Sequence, residues 1–113
     1  IDIHSFTPIF NGNERKVDVG LLIQKDQKDQ NIAELIKAVF ENSIKDIIIR
    51  FNEPYPGDGD CLTTAFKYIF PRANYLGMVV EVSNKFFNKD KNKFDQICAA
   101  LIYAIEEARK KIK

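Results

Sequence analysis

The sequence predicts an α/β fold in three layers, with a mixed sheet of about four strands between helices. The first observation is alternation: short segments with strand-like patterning are separated by segments in which apolar residues recur every three or four positions. The second is the continuous apolar run of residues 47–51, which is typical of a strand covered on both faces. The third is length, because 113 residues with 45% hydrophobic content suit one domain with a modest core.

The composition argues against several classes of function. A net charge of +1 provides no strong field for nucleic acid, and no apolar run reaches the roughly 18 residues of a membrane span. We therefore expect neither a nucleic-acid nor a membrane partner, and a cytoplasmic location. Cys61 and Cys98 show no CxxC spacing, so we expect two free thiols rather than a disulfide.

The chain begins with a short strand whose end carries the only histidine, His4. Ile1 and Ile3 alternate with Asp2 and His4, which is the two-residue period of a strand. Pro8 then stops the strand, because proline has no N–H to donate to a ladder. We therefore expect an imidazole at the point where the chain leaves the sheet.

A polar loop over residues 6–16, with its turn at residues 11–13, leads to a second strand over residues 17–23. The loop is too short for a helical crossover, so the second strand is expected to run antiparallel to the first. This arrangement returns Arg15 to the sheet edge that carries His4.

The next segment predicts a helix, a strand and a loop. Asp29 is the expected N-cap of a helix that ends near Asn42. Its apolar face consists of Ile32, Leu35, Ile36, Val39 and Phe40. The strand over residues 47–51 follows. Residues 52–60 contain two prolines, two glycines and three acids, which predicts a surface loop of the kind on which functional residues concentrate.

The last third of the chain predicts two helices with a strand between them. Asp60 is expected to cap a short helix that Pro71 ends, and residues 76–82 form the last strand. Asp90 or Asn92 opens the final helix. The inward face of that helix is expected to contain Phe94, Ile97, Cys98, Leu101, Ile105, Ala108 and Ile112.

Polar residues stand at the ends of the four expected strands. His4 ends the first strand, Arg15 precedes the second, Asn52 follows the third, and Glu81 lies at the end of the fourth. These residues meet at one sheet edge if the first, third and fourth strands run parallel. Ligands usually bind at the carboxyl edge of an open α/β sheet, so this edge is the candidate site.

For each residue, the pattern alone leaves two interpretations open. His4 is either a zinc ligand through a neutral imidazole or a partly exposed strand-end residue. Asp2 either orients that ring or faces solvent. Arg15 either binds a carboxylate through two parallel hydrogen bonds or is a surface residue. Glu81, which lies among valines, must be paired or reach a cleft, because burying an unpaired carboxylate costs free energy.

Two groups of residues also match a known family. The first is Asp2-x-His4-Ser5-Phe6-Thr7-Pro8, followed by Asn11-Gly12, Arg15 and Gly20-Leu21-Leu22. The second is Asn52-Glu53-Pro54-Tyr55 and the strand end at Glu81. In this order they resemble the N-formylglutamate amidohydrolase family, itself similar to zinc carboxypeptidases and aspartoacylases. The resemblance covers most of the chain.

The resemblance implies that residues 1–113 are the C-terminal portion of one zinc-carboxypeptidase-like domain, whose N-terminal part is missing or supplied by a partner chain. It implies hydrolysis of the amide of an N-acyl amino acid by zinc-activated water. In that interpretation His4 is a metal ligand and Glu81 the catalytic base. The implied substrate-binding residues are Arg15, Ser5, Asn52 and Tyr55. Because a catalytic zinc takes three protein ligands, the zinc requires ligands outside this chain.

Departures from the family pattern support an alternative. The chain has no H-x-x-E pair, it has Ser83 and Lys85 where the family has an arginine and an acid, and it lacks the family's His-Gly element between Thr63 and Tyr75. The alternative is a degenerate, non-catalytic relative that serves as an interaction or scaffold module. In that case the final helix, residues 91–113, is expected to dock on a partner.

Overall fold

The computed structural model describes residues 1–59, 61–70 and 75–112, and a mixed four-stranded sheet is its centre. The strands are β1 (Asp2–Phe6), β2 (Ile9–Phe10), β3 (Asn13–Glu14), β4 (Val19–Leu22), β5 (Ile49–Phe51) and β6 (Val79–Ser83). The helices are α1 (Gln27–Ser43), α2 (Leu62–Ile69), α3 (Phe86–Lys89) and α4 (Lys91–Lys111). The sheet order is β1-β6-β4-β5, so the last strand in sequence lies between the first and the fourth.

Strand directions divide the sheet into two parallel pairs. β1 is parallel to β6, β4 is parallel to β5, and β6 and β4 are antiparallel. The antiparallel relation of β4 to β1 is as expected, although β6 separates the two strands. The condition under which all four polar strand ends meet at one edge is not met, because β5 runs antiparallel to β1 and β6. The carboxyl end of β5 therefore lies at the opposite sheet edge from the carboxyl ends of β1 and β6.

Helices α1 and α4 pack on one face of the sheet and form the core with it. Strand side chains of the core include Val19, Leu21, Val80 and Val82, and the helices contribute Ile36, Phe40, Ile97, Leu101 and Ala104. α2 contributes no residue to this core cluster. The expected three-layer sandwich is therefore shown in part, as the sheet and the layer formed by α1 and α4. The opposite face is covered over Gly20 by the loop that follows β5, because the Glu53 backbone lies against that glycine.

Two details of the long helices differ from expectation. α1 begins one turn early, because Asp26 is its N-cap and accepts the Lys28 N–H at 2.9 Å. Asp29 lies inside the first turn, where only 1% of it is exposed. α4 begins at the expected N-cap, Asp90. Cys98, assigned to the inward face of α4, is exposed.

The first loop contains a small hairpin that the polar composition did not predict. β2 and β3 pair antiparallel around Asn11 and Gly12, whose φ angles are 51° and 76°. Positive φ at both central residues is the geometry of a tight hairpin turn, and an Asn-Gly pair is the sequence that best adopts it. The hairpin brings Arg15 back to Pro8, whose carbonyl accepts the Arg15 N–H at 2.7 Å.

The middle strand and the short helices also differ in detail. β5 is an edge strand, and only Ile49 of its three residues is fully buried, so the expected burial on both faces is not found. The N-cap of α2 is Cys61, while Asp60 and Pro71, the expected cap and stop of this helix, lie outside the described residues. Among the described helices, none is both long and apolar enough to cross a membrane.

Gly20 is the position of β4 at which a side chain is not tolerated. A Cβ atom there meets the carbonyl oxygen of Glu53. We expect Gly20→Ala to lower the free energy of unfolding by about 1–3 kcal/mol, because the loop must move away from the sheet. Urea denaturation measures this loss. Gly59→Ala is a matched control, because a Cβ there contacts only Pro56 O at 3.4 Å; equal effects of the two variants contradict the prediction.

Candidate functional site

The centre of the candidate site is a pair of residues on neighbouring parallel strands. His4 of β1 is aligned with Glu81 of β6, and Gly20 of β4 is the next residue in the same row. Side chains of aligned residues project from the same face of a sheet. His4 and Glu81 therefore face the same side, opposite to the α1 and α4 layer.

Asp2 holds the His4 ring. The His4 Nε2 atom lies 2.9 Å from Asp2 Oδ2, and the two residues project from the same face because they are two positions apart in β1. This hydrogen bond raises the pKa of His4 above 6.5; slight burial opposes the shift, and the negative charges of Asp2 and Glu81 add to it. Of the two open interpretations of Asp2, the structure supports the one in which it orients the imidazole.

Glu81 is the most unusual residue of the site. Only 5% of it is exposed, and its Oε2 atom is buried without a hydrogen-bond partner among the described residues. Burial raises the pKa of Glu81 above 4.5; the charge of His4 and that of Arg15 lower it, and Asp2 raises it. A carboxylate in this position is either protonated more readily than usual or waits for a donor from a ligand. The sequence-based expectation that Glu81 is paired or reaches a cleft is therefore not confirmed for Oε2, which is buried without a partner among the described residues.

Arg15 lies at the carboxyl end of β1, as the antiparallel arrangement predicts. One of its guanidinium nitrogens donates to the Thr7 carbonyl at 3.2 Å and to the Tyr55 hydroxyl at 3.3 Å. Its guanidinium carbon also lies 4.8 Å from the ring centre of Phe10 and 5.2 Å from that of Tyr55. Aromatic rings and hydrogen bonds on several sides fix the orientation of this cation.

The loop after β5 reaches the site although it starts at the opposite sheet edge. Asn52 has a φ of 55°, donates its N–H to Leu21 O at 3.0 Å and accepts the Ile23 N–H on Oδ1 at 2.9 Å. These bonds turn the chain back over Gly20 and carry Tyr55 to Arg15. The Asn52 side chain is therefore engaged in shaping the loop, whereas Tyr55 borders the site.

Ser5 is not part of this cluster. Neighbouring residues of a strand project from opposite faces, so Ser5 lies on the α4 side. There it lines a mostly apolar cavity with Ile3, Val82, Phe87, Phe94 and Leu101. The implied substrate-binding role of Ser5 does not fit this position, because the sheet separates its side chain from those of His4 and Glu81.

The departures at the end of β6 have structural explanations. Ser83 is fully buried, and its N–H donates to Asp18 O at 2.9 Å. Lys85 forms an ion pair with the buried carboxylate of Asp18, with Nζ 2.5 Å from Oδ1. A long arginine side chain does not fit at Ser83 without displacing these packed groups, and an acid at position 85 would face Asp18. Ser83 and Lys85 therefore both fit the packing around Asp18 in this chain.

Zinc, implied by the family resemblance, was tested against these residues. Among the residues that the structure describes, no group of three His, Cys, Asp or Glu side chains is arranged to hold a metal ion. The donors facing each other are His4 and Glu81, and Asp2 already occupies one ring nitrogen of His4. The described residues alone do not form a zinc site. His4 fits only as one member of a larger ligand set.

Two residues near His4 were missed by the sequence analysis. The negative charge of a Cys61 thiolate raises the pKa of His4 and that of Tyr75. The charge of Asp2 also raises the pKa of Tyr75. The available signal was the Cys-x-Thr-Thr sequence at residues 61–64, because a helix that begins there points its N–H groups at the sulfur.

Comparison with known proteins gives a fold and no family. No family model matches the chain, and no curated protein matches it. The crystal structure of gene product Atu2144 from Agrobacterium tumefaciens is similar, with a TM-score of 0.63 and 24% sequence identity over 96% of this chain. The chain corresponds to only 40% of the length of that protein. The similarity shows the mixed α/β fold, and it shows that a much longer protein contains this arrangement.

Proposed function

We propose that this chain is the C-terminal portion of an N-formylglutamate amidohydrolase-like, metal-dependent hydrolase with a three-layer, zinc-carboxypeptidase-like fold. Its substrate class is an N-acyl amino acid, whose amide is cleaved by water. The observation that carries the proposal is the alignment of His4 with the buried, partly unpartnered Glu81 on one face of the sheet. The partial coverage of a longer similar structure supports the view that further parts complete the site.

Glu81 is the proposed catalytic base. Its Oε2 atom has no partner among the described residues, so it is free to accept a proton from a water molecule. Burial raises its pKa above 4.5, which brings its basicity closer to that needed for proton transfer near neutral pH. His4, held by Asp2 at 2.9 Å, faces the same space.

Arg15 is the proposed binding residue for the substrate carboxylate. Its rings and hydrogen-bond partners keep it in one orientation, which reduces the entropy lost when it binds an anion. Tyr55 lies beside Arg15, because its hydroxyl accepts a hydrogen bond from the guanidinium group. The charge of Arg15 lowers the pKa of Glu81, so the proposed carboxylate-binding residue acts electrostatically on the proposed base.

His4 is the proposed metal ligand that this chain contributes. Zinc held by His4 together with ligands from outside the chain would lower the pKa of a water molecule and polarise an amide carbonyl. The raised pKa of His4 has a direct consequence, because a protonated imidazole does not bind metal and zinc must displace that proton.

The experiment that tests the function uses the full-length gene product. Metal analysis is expected to find about one zinc ion per chain, in keeping with a three-ligand catalytic site, and a deacylase assay with N-formyl and N-acetyl amino acids is expected to detect hydrolysis. His4→Ala is expected to lose both metal and activity. Tyr103→Ala, on the exposed side of α4, is the matched control and should lose neither. A metal-free, inactive wild-type protein contradicts the proposal.

The isolated chain of 113 residues is expected to bind zinc only weakly. It contributes one histidine, and its described residues form no three-ligand group. Titration calorimetry with zinc chloride at neutral pH measures this affinity. A submicromolar dissociation constant that disappears in His4→Ala contradicts the prediction, because it shows that the chain holds the metal without further ligands.

A second candidate function is a non-catalytic interaction module. Two observations favour it. Ser83 and Lys85 are packed where the family has an arginine and an acid. Ile102 and Tyr103 are exposed on α4. The residues encoded before Ile1 distinguish the candidates. A histidine and a glutamate at metal-ligand spacing support the enzyme, whereas their absence from the natural gene supports the module.

A further inference from the structure

β1 is an edge strand whose outer side is open. Among the described residues, its partner in the sheet is β6 alone. The Asp2 N–H donates to Met78 O at 3.0 Å, so Asp2 directs its backbone groups to β6, as does His4 two residues later. The residues between them alternate. Ile3 and Ser5 therefore direct their N–H and C=O groups away from β6, to the free edge.

This edge lacks the features that usually prevent the addition of another strand. Proteins protect edge strands with lysine, proline or a bulge. β1 contains no lysine, arginine or proline, and three consecutive residues at its centre are exposed. The other edge strand, β5, carries the exposed Arg50, which lies 3.9 Å from a carboxylate oxygen of Glu53. β1 is therefore the edge of this sheet that suits pairing with a further strand.

An apolar cavity of about 290 Å³ lies beside this edge, on the α4 side of the sheet. A strand added to β1 carries every second side chain over the cavity, so its occupant needs apolar residues at alternate positions. β1 itself has this pattern, because Ile1 and Ile3 are 46% and 55% exposed. Residues that line the cavity include Ile3, Ser5, Val82, Phe87, Phe94 and Leu101.

Charge selects one way for two copies of β1 to pair. Because Ile3 and Ser5 carry the outward backbone groups, an antiparallel pair has its two-fold axis at Ile3, His4 or Ser5. An axis at His4 places two imidazoles opposite each other, and an axis at Ser5 places His4 opposite Phe6. An axis at Ile3 places Asp2 of each copy opposite His4 of the other, which matches a carboxylate with its natural partner.

We propose that β1 pairs antiparallel with β1 of a second copy of this chain, about a two-fold axis at Ile3. The two four-stranded sheets then form one continuous sheet. On the cavity face, Ile1 of each copy lies over the cavity beside Ser5 of the other. On the opposite face, Asp2 of the second copy lies across from His4, so each copy contributes a carboxylate to the candidate site of the other. The interface uses the same surface twice and closes at two copies.

The first test measures the oligomeric state of the 113-residue chain by sedimentation velocity. A dimer is expected at a concentration of about 100 μM, because a pair of short strands forms a small interface. Ile3→Lys places two ammonium groups opposite each other and is expected to weaken the dimer about ten-fold or more. Ile48→Lys, at the other edge of the sheet, is the control and should leave it unchanged. A monomeric wild type, or an Ile3→Lys variant that dimerises as the wild type does, overturns the proposal.

The second test measures the register by disulfide formation in a Cys61→Ser/Cys98→Ser background. The Cα atoms of directly opposed residues are about 5.5 Å apart, which a disulfide spans. Ile3→Cys is therefore expected to cross-link two copies about five-fold faster than His4→Cys or Ser5→Cys, whose cysteines are offset along the strands. Faster cross-linking of His4→Cys overturns the pairing of Asp2 with His4, and equal rates overturn the ordered pair of strands.

Circular dichroism verifies that each variant is folded, and the cross-linking rates decide the question if Ile3→Lys does not fold. Neither measurement involves a substrate or a metal ion. The two outcomes therefore do not depend on the proposed hydrolase function, and a dimer is expected whether or not the full-length gene product hydrolyses an N-acyl amino acid.

Discussion

Replacing Lys67 by methionine is expected to lower the free energy of unfolding by about 3–5 kcal/mol, because the change leaves a buried carboxylate without its counter-charge. Lys67 of α2 forms an ion pair with Asp29 of α1. The side chains of Asp29 and Lys67 are only 1% and 10% exposed. Burial already raises the pKa of Asp29 despite the opposing effect of Lys67, so loss of the lysine raises it further.

Urea denaturation at pH 7 measures the effect of Lys67→Met. The double variant Asp29→Leu/Lys67→Met is expected to recover most of the loss, because an apolar pair of similar volume has no charge to desolvate. Lys37→Met is the matched control: its pair with Glu41 is exposed and is worth roughly 0–1 kcal/mol. If Lys67→Met loses no more free energy of unfolding than the control, the prediction for the buried Asp29–Lys67 pair is contradicted.

The pH dependence of Lys67→Met follows from the raised pKa of Asp29. A carboxyl group with a higher pKa in the folded state binds its proton more tightly when folded. Its contribution to stability is present below the unfolded value of 3.8 and is lost as pH rises through the folded value. The destabilisation of the variant is therefore expected to be smallest in acid and to grow toward neutral pH.

Glu81→Gln is expected to reduce the proposed deacylase activity of the full-length protein at least 100-fold, while making the fold more stable by about 1 kcal/mol. Glutamine keeps the shape of the side chain but does not accept a proton from water. It also removes a carboxylate that burial disfavours, with an Oε2 atom unpartnered among the described residues. Activity and stability are thus expected to change in opposite directions.

Two measurements check Glu81→Gln. Steady-state deacylase kinetics give the loss of activity, and denaturation as a function of pH gives the stability. The folded pKa of Glu81 is raised, so its contribution is present below 4.5 and is lost as pH rises through the folded value. The advantage of glutamine should therefore appear above pH 4.5. A variant that is less stable than the wild type at neutral pH contradicts the buried, uncompensated carboxylate.

Local features of the fold were predictable because they depend on neighbouring residues. The apolar periodicity of α1 and α4 could be read directly from the sequence, and the N-cap of α4, Asp90, is one of the two residues predicted to open that helix. The order of the strands could not, because it depends on pairing between distant segments. β6 inserts between β1 and β4, and β5 is antiparallel to β1 because it pairs in parallel with β4.

The candidate site was predictable to a similar extent. The prediction that His4 and Glu81 stand at strand ends is wrong, because each is the central residue of its strand, β1 or β6. Their alignment depends on the register of these two strands, which the sequence does not reveal. The path of the loop after β5 depends on a positive φ at Asn52, which no periodicity reveals.

The insertion of β6 between β1 and β4 also bears on how the chain reaches its native state. The sheet partner of Asp2 is Val79, so β1 has no neighbour in the sheet until the C-terminal third of these residues is available. Pairings so distant in sequence carry a high loop-closure entropy and slow the formation of the native topology. During synthesis on the ribosome, His4 of β1 therefore lacks its β6 neighbour until residues 79–83 have been made.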